Sequence, residues 1–156
     1  MAKQNLYDND AFYNNFISIR SNKLNFNDMI ETPIIDCCWT YEKAYKRIHQ
    51  VLTMEDSMCM VQLDDNDSIT GYLMGYFKEF DDIRGYFLDE IVIFKGFQGK
   101  GYGTDFIKVL EQEVSKNGAS IIELNSVNDE MHKHFYSKLS YYETKNFVMM
   151  GKFLES

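Results

Sequence analysis

Between residues 85 and 116 a strand-like run, a glycine-rich loop and an amphipathic helix follow one another directly, and this succession restricts the chain to folds built from α/β layers. Residues 85–94 contain YFLDEIVIF, apolar on both faces near its end, as expected of a central strand covered on both sides. The loop holds glycines at 99, 101 and 103, where backbone N–H groups can turn inward with no Cβ in the way. Phe106, Ile107, Leu110, Glu111 and Val114 then recur at a helical period. The start of such a helix presents unpaired N–H groups and a positive dipole end beside the loop. The combination forms an anion cradle suited to a pyrophosphate, with Lys95, Lys100 and Lys108 adding local positive charge.

The flanking sequence supplies the other layers. In the first 55 residues, Asp8 or Asn9 is placed to cap a helix carrying Phe12, Phe16 and Ile19. Thr40 is placed to cap a second, with the stripe Tyr41, Tyr45, Ile48 and Leu52. Residues 58–63 and 68–77, separated by Asp64-Asp65-Asn66-Asp67, read as a β-hairpin, with Ile69, Gly71, Leu73, Gly75 and Phe77 on one face. Asp81-Asp82 marks the next turn, and Asn117-Gly118 ends the helix after the loop. A short strand is expected at 120–125. Asn128 or Asp129 should cap a helix carrying Met131, Phe135 and Leu139, and a final strand, FVMMGKFL, should follow at 147–154. The order α-α-β-β-β-α-β-α-β predicts a single α/β domain over 1–156, with a mixed, mostly antiparallel central sheet and helices on both faces.

Charge and composition narrow the function classes. With 24 acidic against 16 basic residues the net charge is −8, and there is no basic stripe of the kind nucleic-acid binding requires. No apolar run approaches the roughly 20 residues of a membrane span, and the polar opening MAKQNLYDND carries no secretory h-region. The three cysteines, Cys37, Cys38 and Cys59, form no even framework, so a reducing cytoplasm is expected. No metal is expected: C-x-x-C and H-E-x-x-H are absent, and His132 and His134 fall on different faces of a helix.

Two phosphate loops fail on spacing. A Walker A loop needs Lys-Ser/Thr after its last glycine, and a dinucleotide fingerprint needs G-x-G-x-x-G early in a βαβ unit. Here the spacing is G-x-G-x-G, after a hairpin. Gln98-Gly-Lys-Gly-Tyr-Gly103 instead resembles the Q/R-x-x-G-x-G/A signature of the GNAT acetyltransferase superfamily, with Ile91-Val92-Ile93 where the family has its preceding apolar strand. Phe135-Tyr-Ser-Lys-Leu-Ser-Tyr141 resembles the family's FYEKLGF segment, and the two motifs stand in the family's order. The resemblance covers roughly residues 57–150, the part expected to bind acetyl-CoA; residues 1–55 form a helical segment on the acceptor side. The sequence departs from the pattern at Ser140, where glycine is usual, and at Lys95, where proline is common.

The resemblance implies that acetyl-CoA, as cosubstrate, lies where the family's fourth and fifth strands splay apart. Backbone groups of Ile91, Val92 and Ile93 would pair with the pantetheine arm. Amides of Gln98, Gly99, Lys100, Gly101, Tyr102, Gly103 and Thr104 would hold the pyrophosphate, with Asn128 or Asp129 at the family's asparagine. Tyr136 matches the tyrosine that donates to the sulfur, the alternative being a helix tyrosine packed by its ring. Asp89 and Glu90 are candidate bases, on opposite faces of a regular strand, with Asp89 on the face of Ile91 and Ile93; a structural carboxylate is the alternative for each. Tyr72, Tyr76 and Tyr86 are candidates to line the acceptor cleft, with core packing as the alternative. The reaction implied is direct transfer of an acetyl group to a primary amine, the acidic charge favouring a small cationic acceptor by steering. The alternatives are a protein N-terminal or lysine acetyltransferase and a non-catalytic acyl-CoA-binding regulatory module. A homodimer is compatible with the family.

Overall fold

The computed structural model describes residues 40–155, with the side chain of Tyr41 left aside. The helix expected at Phe12, Phe16 and Ile19, and the Cys37–Trp39 segment, lie outside the described residues. The chain divides into two compact units, Met1–Asn125 and Ser126–Ser156.

In the first unit, helix α1 (Tyr41–Leu52) begins at Thr40, whose hydroxyl accepts the Lys43 N–H at 3.2 Å. Strand β1 (Ser57–Leu63) pairs antiparallel with β2 (Ile69–Glu79), and β2 antiparallel with β3 (Arg84–Ile93). A 3-10 turn (Lys95–Phe97) leads to helix α2 (Tyr102–Lys116), which crosses over to β4 (Ala119–Leu124), parallel to β3. The sheet order is β1-β2-β3-β4. This is the mixed, mostly antiparallel sheet flanked by helices that the sequence predicts.

Each helix supplies a core. Ala44, Ile48, Val51 and Leu52 of α1 pack with Tyr72, Met74, Val92 and Phe94. The buried stripe is rotated from the predicted one: Ala44 and Val51 enter the core, while Tyr45 stays at the rim, stacked on His49 with ring centroids 4.1 Å apart. Helix α2 buries Phe106, Ile107, Leu110 and Val114, matching the predicted stripe except for the half-buried Glu111.

Three one-residue bulges interrupt the ladders. Gln62 pairs with Gly71 and Leu63 with Ile69, leaving Thr70 extra; Met74 pairs with Glu90 and Gly75 with Leu88, leaving Asp89 extra; Ser120 is extra on β4. Next to the second bulge a close approach requires glycine. A Cβ on Gly75 would lie 2.3 Å from Tyr86 Oη, whose hydroxyl donates to the Met58 carbonyl at 2.8 Å.

In the second unit, helix α3 (Glu130–Lys138) starts at Asp129, which takes the cap position that the sequence leaves open between Asn128 and Asp129. The helix ends in a Schellman motif: Ser140 N–H donates to Ser137 O at 3.0 Å and Tyr141 N–H to Tyr136 O at 3.1 Å, with Ser140 left-handed at φ 66°. Of the predicted α3 stripe, Phe135 and Leu139 are half-buried and Met131 is exposed. The final strand expected at 147–154 is absent. The segment forms no ladder among the described residues and is exposed, Met150 at 87%. A strand's apolar pattern needs a paired edge to become a strand, and none of the described strands pairs with this segment.

Candidate functional site

The first unit gathers one predicted constellation at the far end of β3. The β3–β4 ladder runs only from Arg84, opposite Ala119, to Leu88, opposite Leu124. Strand β3 continues to Ile93, so residues 89–93 carry no ladder partner on the β4 side among the described residues. On the other side Ile91, Val92 and Ile93 pair with Leu73, Tyr72 and Gly71. Only Val92 of the three is fully buried. The backbone of this stretch is therefore held from one flank, and on the other it is engaged among the described residues at the Ile93 carbonyl, by Gln98, with no strand alongside, the arrangement an added strand requires.

The loop that follows is fixed by side chains of its own and by the hairpin. Gln98 Nε2 donates to Ile93 O at 2.8 Å, folding the loop back on the strand end, and Lys100 Nζ donates to Gly96 O at 2.9 Å. Phe94 N–H donates to Thr70 O at 2.7 Å. Gln62 ties both sides together: its Nε2 donates to Tyr102 O at 3.1 Å, and its Oε1 accepts the fully buried Thr70 hydroxyl at 3.0 Å. The Tyr102 ring meets Phe97 edge-on at 5.6 Å. Gly99 and Gly101 adopt φ of 72° and 89°, and the space a Cβ would occupy at each is open. Gly101 is the N-cap of α2 and carries no side chain to cap the helix. Tyr102, Gly103 and Thr104 already belong to the first helical turn rather than to the loop, and the N–H groups of such a turn have no intrahelical partner. A positive dipole end without a side-chain cap, at the tip of a strand with an open flank, can hold an anion followed by an extended chain. The donors present thus fit a phosphate-bearing, peptide-like ligand such as CoA. No group of His, Cys, Asp and Glu able to hold a metal occurs among the described residues, and no described helix is long and apolar enough to cross a membrane.

The two candidate carboxylates have different surroundings. Asp89, the extra residue of its bulge, is paired with Arg47 of α1. Regular alternation would put Asp89 on the side opposite Val92. The bulge breaks that alternation, so both reach the α1 side, where Val92 joins the core. Glu90 lies opposite Met74 and is half-buried. Neither Arg47 nor Gln62 is legible as a site residue, because each acquires its role through a partner far along the chain.

Of the tyrosines read as cleft candidates, Tyr72 and Tyr86 are core residues at 1% and 0% exposure. Burial first, then Cys59 and Asp89, push the Tyr86 hydroxyl well above its ordinary value of 10.0. Tyr76 is half-buried beside Phe87, ring centroids 5.5 Å apart.

In the second unit, Asn128 is exposed just before the α3 cap. Asp129 Oδ1 accepts the His132 N–H at 2.8 Å, and His132 Nδ1 lies 2.8 and 2.9 Å from its two carboxylate oxygens. Those hydrogen bonds, the backbone one first, hold the Asp129 carboxyl below its ordinary value. Tyr136 sits one turn beyond His132, its ring edge-on to Phe135 at 5.0 Å and to Tyr141 at 5.6 Å.

Solved structures share the fold. One is the aminoglycoside acetyltransferase meta-AAC0020 from an uncultured soil metagenomic sample, in complex with sisomicin, at 16% identity over 99% of this chain and 93% of that one, TM-score 0.68. A possible acetyltransferase from Clostridium difficile 630 matches at 12% identity over 99% and 95%, TM-score 0.73. A transcriptional regulator from Bacillus halodurans C-125 matches at 13% identity over 92% and 95%, TM-score 0.69. No curated protein sequence matches the chain. The model of the acetyltransferase (GNAT) family matches residues 26–141, which include the open flank of β3, the glycine loop and the Tyr136 helix. The chain belongs to the acetyltransferase (GNAT) family.

Proposed function

We propose that the protein transfers an acetyl group from acetyl-CoA to the primary amine of a small cationic molecule by direct attack. The observation that carries this reading is the open flank of β3 running into an uncapped helix N-terminus, which matches a ligand with an amide-bearing arm and a pyrophosphate. Bound acetyl-CoA supplies the acetyl group as an activated thioester. Main-chain groups of Ile91, Val92 and Ile93 hold the pantetheine arm, and N–H groups from Gln98 to Thr104 hold the pyrophosphate. Asn128 contributes from the loop before α3, and the two units act as one acetyltransferase domain.

Tyr136 gives a proton to the departing sulfur. Its match to the family motif supports this role. Asp89 serves as a strut on Arg47, and Glu90 accepts the proton of the amine. The Arg47–Asp89 pair, which ties α1 to the bulge, supports the structural half of this division. The net charge of −8 and the presence of aminoglycoside acetyltransferases among proteins of this fold support a cationic acceptor. The cysteine pattern supports a reducing, cytoplasmic setting.

A second reading is a regulatory module that binds acyl-CoA without turnover, and a regulator of the same fold favours it. Thiol release from acetyl-CoA with a panel of polyamines, aminoglycosides and lysine-like amines separates the two. Release that depends on the amine, and that falls about 10²–10⁴-fold in Tyr136→Phe with little change in CoA affinity, supports the enzyme. CoA binding without amine-dependent release supports the module. In both readings Gly101→Glu abolishes CoA binding by placing a carboxylate at the phosphate position. Unchanged affinity by calorimetry in that variant removes the pyrophosphate assignment.

A further inference from the structure

We propose that the acceptor carries two amino groups: one is acetylated beside Glu90, and the other sits as an ammonium in a slot of rings and carboxylate that Lys78 now fills. The proposal rests on the acetyltransfer reading and names its substrate class. The slot is built on the α1 side of the sheet. Met74 joins the α1 core, and Tyr76, two residues on in a regular strand, faces the same way but lies outside that core. Phe87 stands opposite Tyr76 and Glu123 opposite Phe87, so the three form one row across β2, β3 and β4. The Tyr76 and Phe87 ring centroids lie 5.5 Å apart. Lys78 Nζ reaches into this row, 3.2 Å from Glu123 Oε2, 5.5 Å from the centre of the Phe87 ring and 5.4 Å from that of Phe80. Phe80 comes this close to the sheet because the residue it covers is Gly85, where a Cβ would lie 2.8 Å from the ring. An ammonium between aromatic faces and a carboxylate is held by the ring quadrupoles together with the opposite charge. The Lys78 and Glu123 side chains are each 38% exposed, so a molecule arriving from solvent can reach the slot.

The place of the slot gives it a use. In the acetyltransfer reading the pyrophosphate sits on N–H groups from Gln98 to Thr104 and the pantetheine arm runs along Ile93, Val92 and Ile91, which brings the thioester to the Asp89 end of the flank. An amine attacking there meets Glu90, which stands opposite Met74. The next row on the same side of the sheet is Tyr76, Phe87 and Glu123, two residues along β2, or about 7 Å away. An acceptor extending from Glu90 therefore lies over the Tyr76 and Phe87 rings, and its far end meets the slot about 7–10 Å from the reacting nitrogen. Lys78 stands in for that far end, being the same chemical group on a flexible stem. It gives way readily, because an exposed ion pair is weakly held and the stem can return its charge to water. Glu123 is paired before and after the exchange, so neither state leaves its carboxylate alone among the rings. A monoamine offers the slot nothing, and an acceptor with an acidic far end is repelled by Glu123.

The test reads the ratio of kcat/KM for hexamethylenediamine to that for hexylamine, from thiol release with acetyl-CoA. The wild-type ratio should stand well above one. Glu123→Gln should lower it about five- to fiftyfold by removing the charge that holds the second ammonium. Lys78→Met keeps the stem but vacates the slot, and should raise the ratio about two- to fivefold, the fold-change an exposed ion pair is worth. In a Glu123→Gln background Lys78→Met should add almost nothing. Phe87→Leu should lower the ratio about two- to tenfold. Opposite shifts on removing the two partners of one pair separate competition for the slot from a bracing role, because a pair that only braces the sheet gives losses of the same sign from either side and on both amines. The proposal is overturned by a Lys78→Met shift in the same direction as that of Glu123→Gln, or by shifts of equal size on the two amines. A wild-type protein without amine-dependent thiol release overturns the acetyltransfer reading itself. Release as efficient with hexylamine as with hexamethylenediamine overturns this inference alone.

Discussion

Replacing Ser140 with glycine should stabilise the helix that carries Tyr136. Ser140 holds φ 66° because the Schellman motif needs a left-handed residue after the cap, and both hydrogen bonds of the motif are made. An L-residue pays about 1–2 kcal/mol in that region, where glycine pays none. Glycine returns about 0.4–1 kcal/mol of this through the freedom of its unfolded chain. The Ser140 side chain is exposed, so little packing is lost. The net expectation is a gain of about 0.5–1 kcal/mol. If the whole chain melts together, Tm should rise by about 1–4 °C. If the second unit opens locally, the gain appears instead as a roughly two- to fivefold slowing of amide exchange at Ser140 and Tyr141, whose N–H groups close the motif. Circular dichroism melts and exchange by NMR read the two cases. Ser140→Val should move both readouts the other way, a β-branched residue being poorly suited to positive φ. A Ser140→Gly protein that melts lower, or exchanges faster at these two amides, would refute the reasoning.

Other predictions follow from single contacts. Tyr86 keeps its proton in the fold well above the pH where it would lose it in the unfolded chain, so its contribution is complete below about pH 10 and is lost as pH rises beyond that value. Stability should therefore decline by up to about 1.4 kcal/mol per pH unit above pH 10, and Tyr86→Phe should remove that slope, as denaturant melts across pH 9–11 can check. Gln62→Leu removes the link between Thr70 and Tyr102 and should cost about 1–3 kcal/mol while weakening CoA binding; full CoA affinity by calorimetry would show that the link does not position the loop. Met150→Lys, at a side chain 87% exposed, should change stability by no more than about 0.5 kcal/mol, and a loss above about 2 kcal/mol would mean that residues 147–154 are covered in solution.

What was legible in the sequence was what is set locally. The Thr40 cap, the Asp64–Asp67 turn and the helical period after the loop all depend on residues within a few positions of one another, and each stands where the pattern puts it. The positive φ of Gly99 and Gly101 was legible for the same reason, since the loop demands of them a conformation other residues avoid. Tyr45 was misplaced because a helical stripe fixes the period but leaves its phase open by one residue, and small Ala44 fits against the sheet where tyrosine would not. FVMMGKFL reads as a strand from its composition. Composition measures the capacity to pair, and pairing is decided by an edge elsewhere in the chain.

The open flank at the heart of the site comes from a feature no local pattern encodes. Leu88 is the last residue of β3 to pair with β4, and the next residue, Asp89, is the one extra in the ladder with β2. A bulge bends its strand and increases the local twist, so an insertion at this point turns residues 89–93 out of line with β4. Arg47 then binds the Asp89 carboxylate from α1 and holds the bend, while Gln98 closes on Ile93 O and fixes the far end of the same stretch. The freed backbone is thus gripped at both ends and paired along one side, and among the described residues no strand covers the other. The bulge depends on the register of two strands brought together by the Asp81-Asp82 turn, and the clamp on a helix more than thirty residues earlier. Sequence motifs marked the loop at the end of this stretch, and the register of the sheet, which no motif carries, ended the pairing with β4 before it.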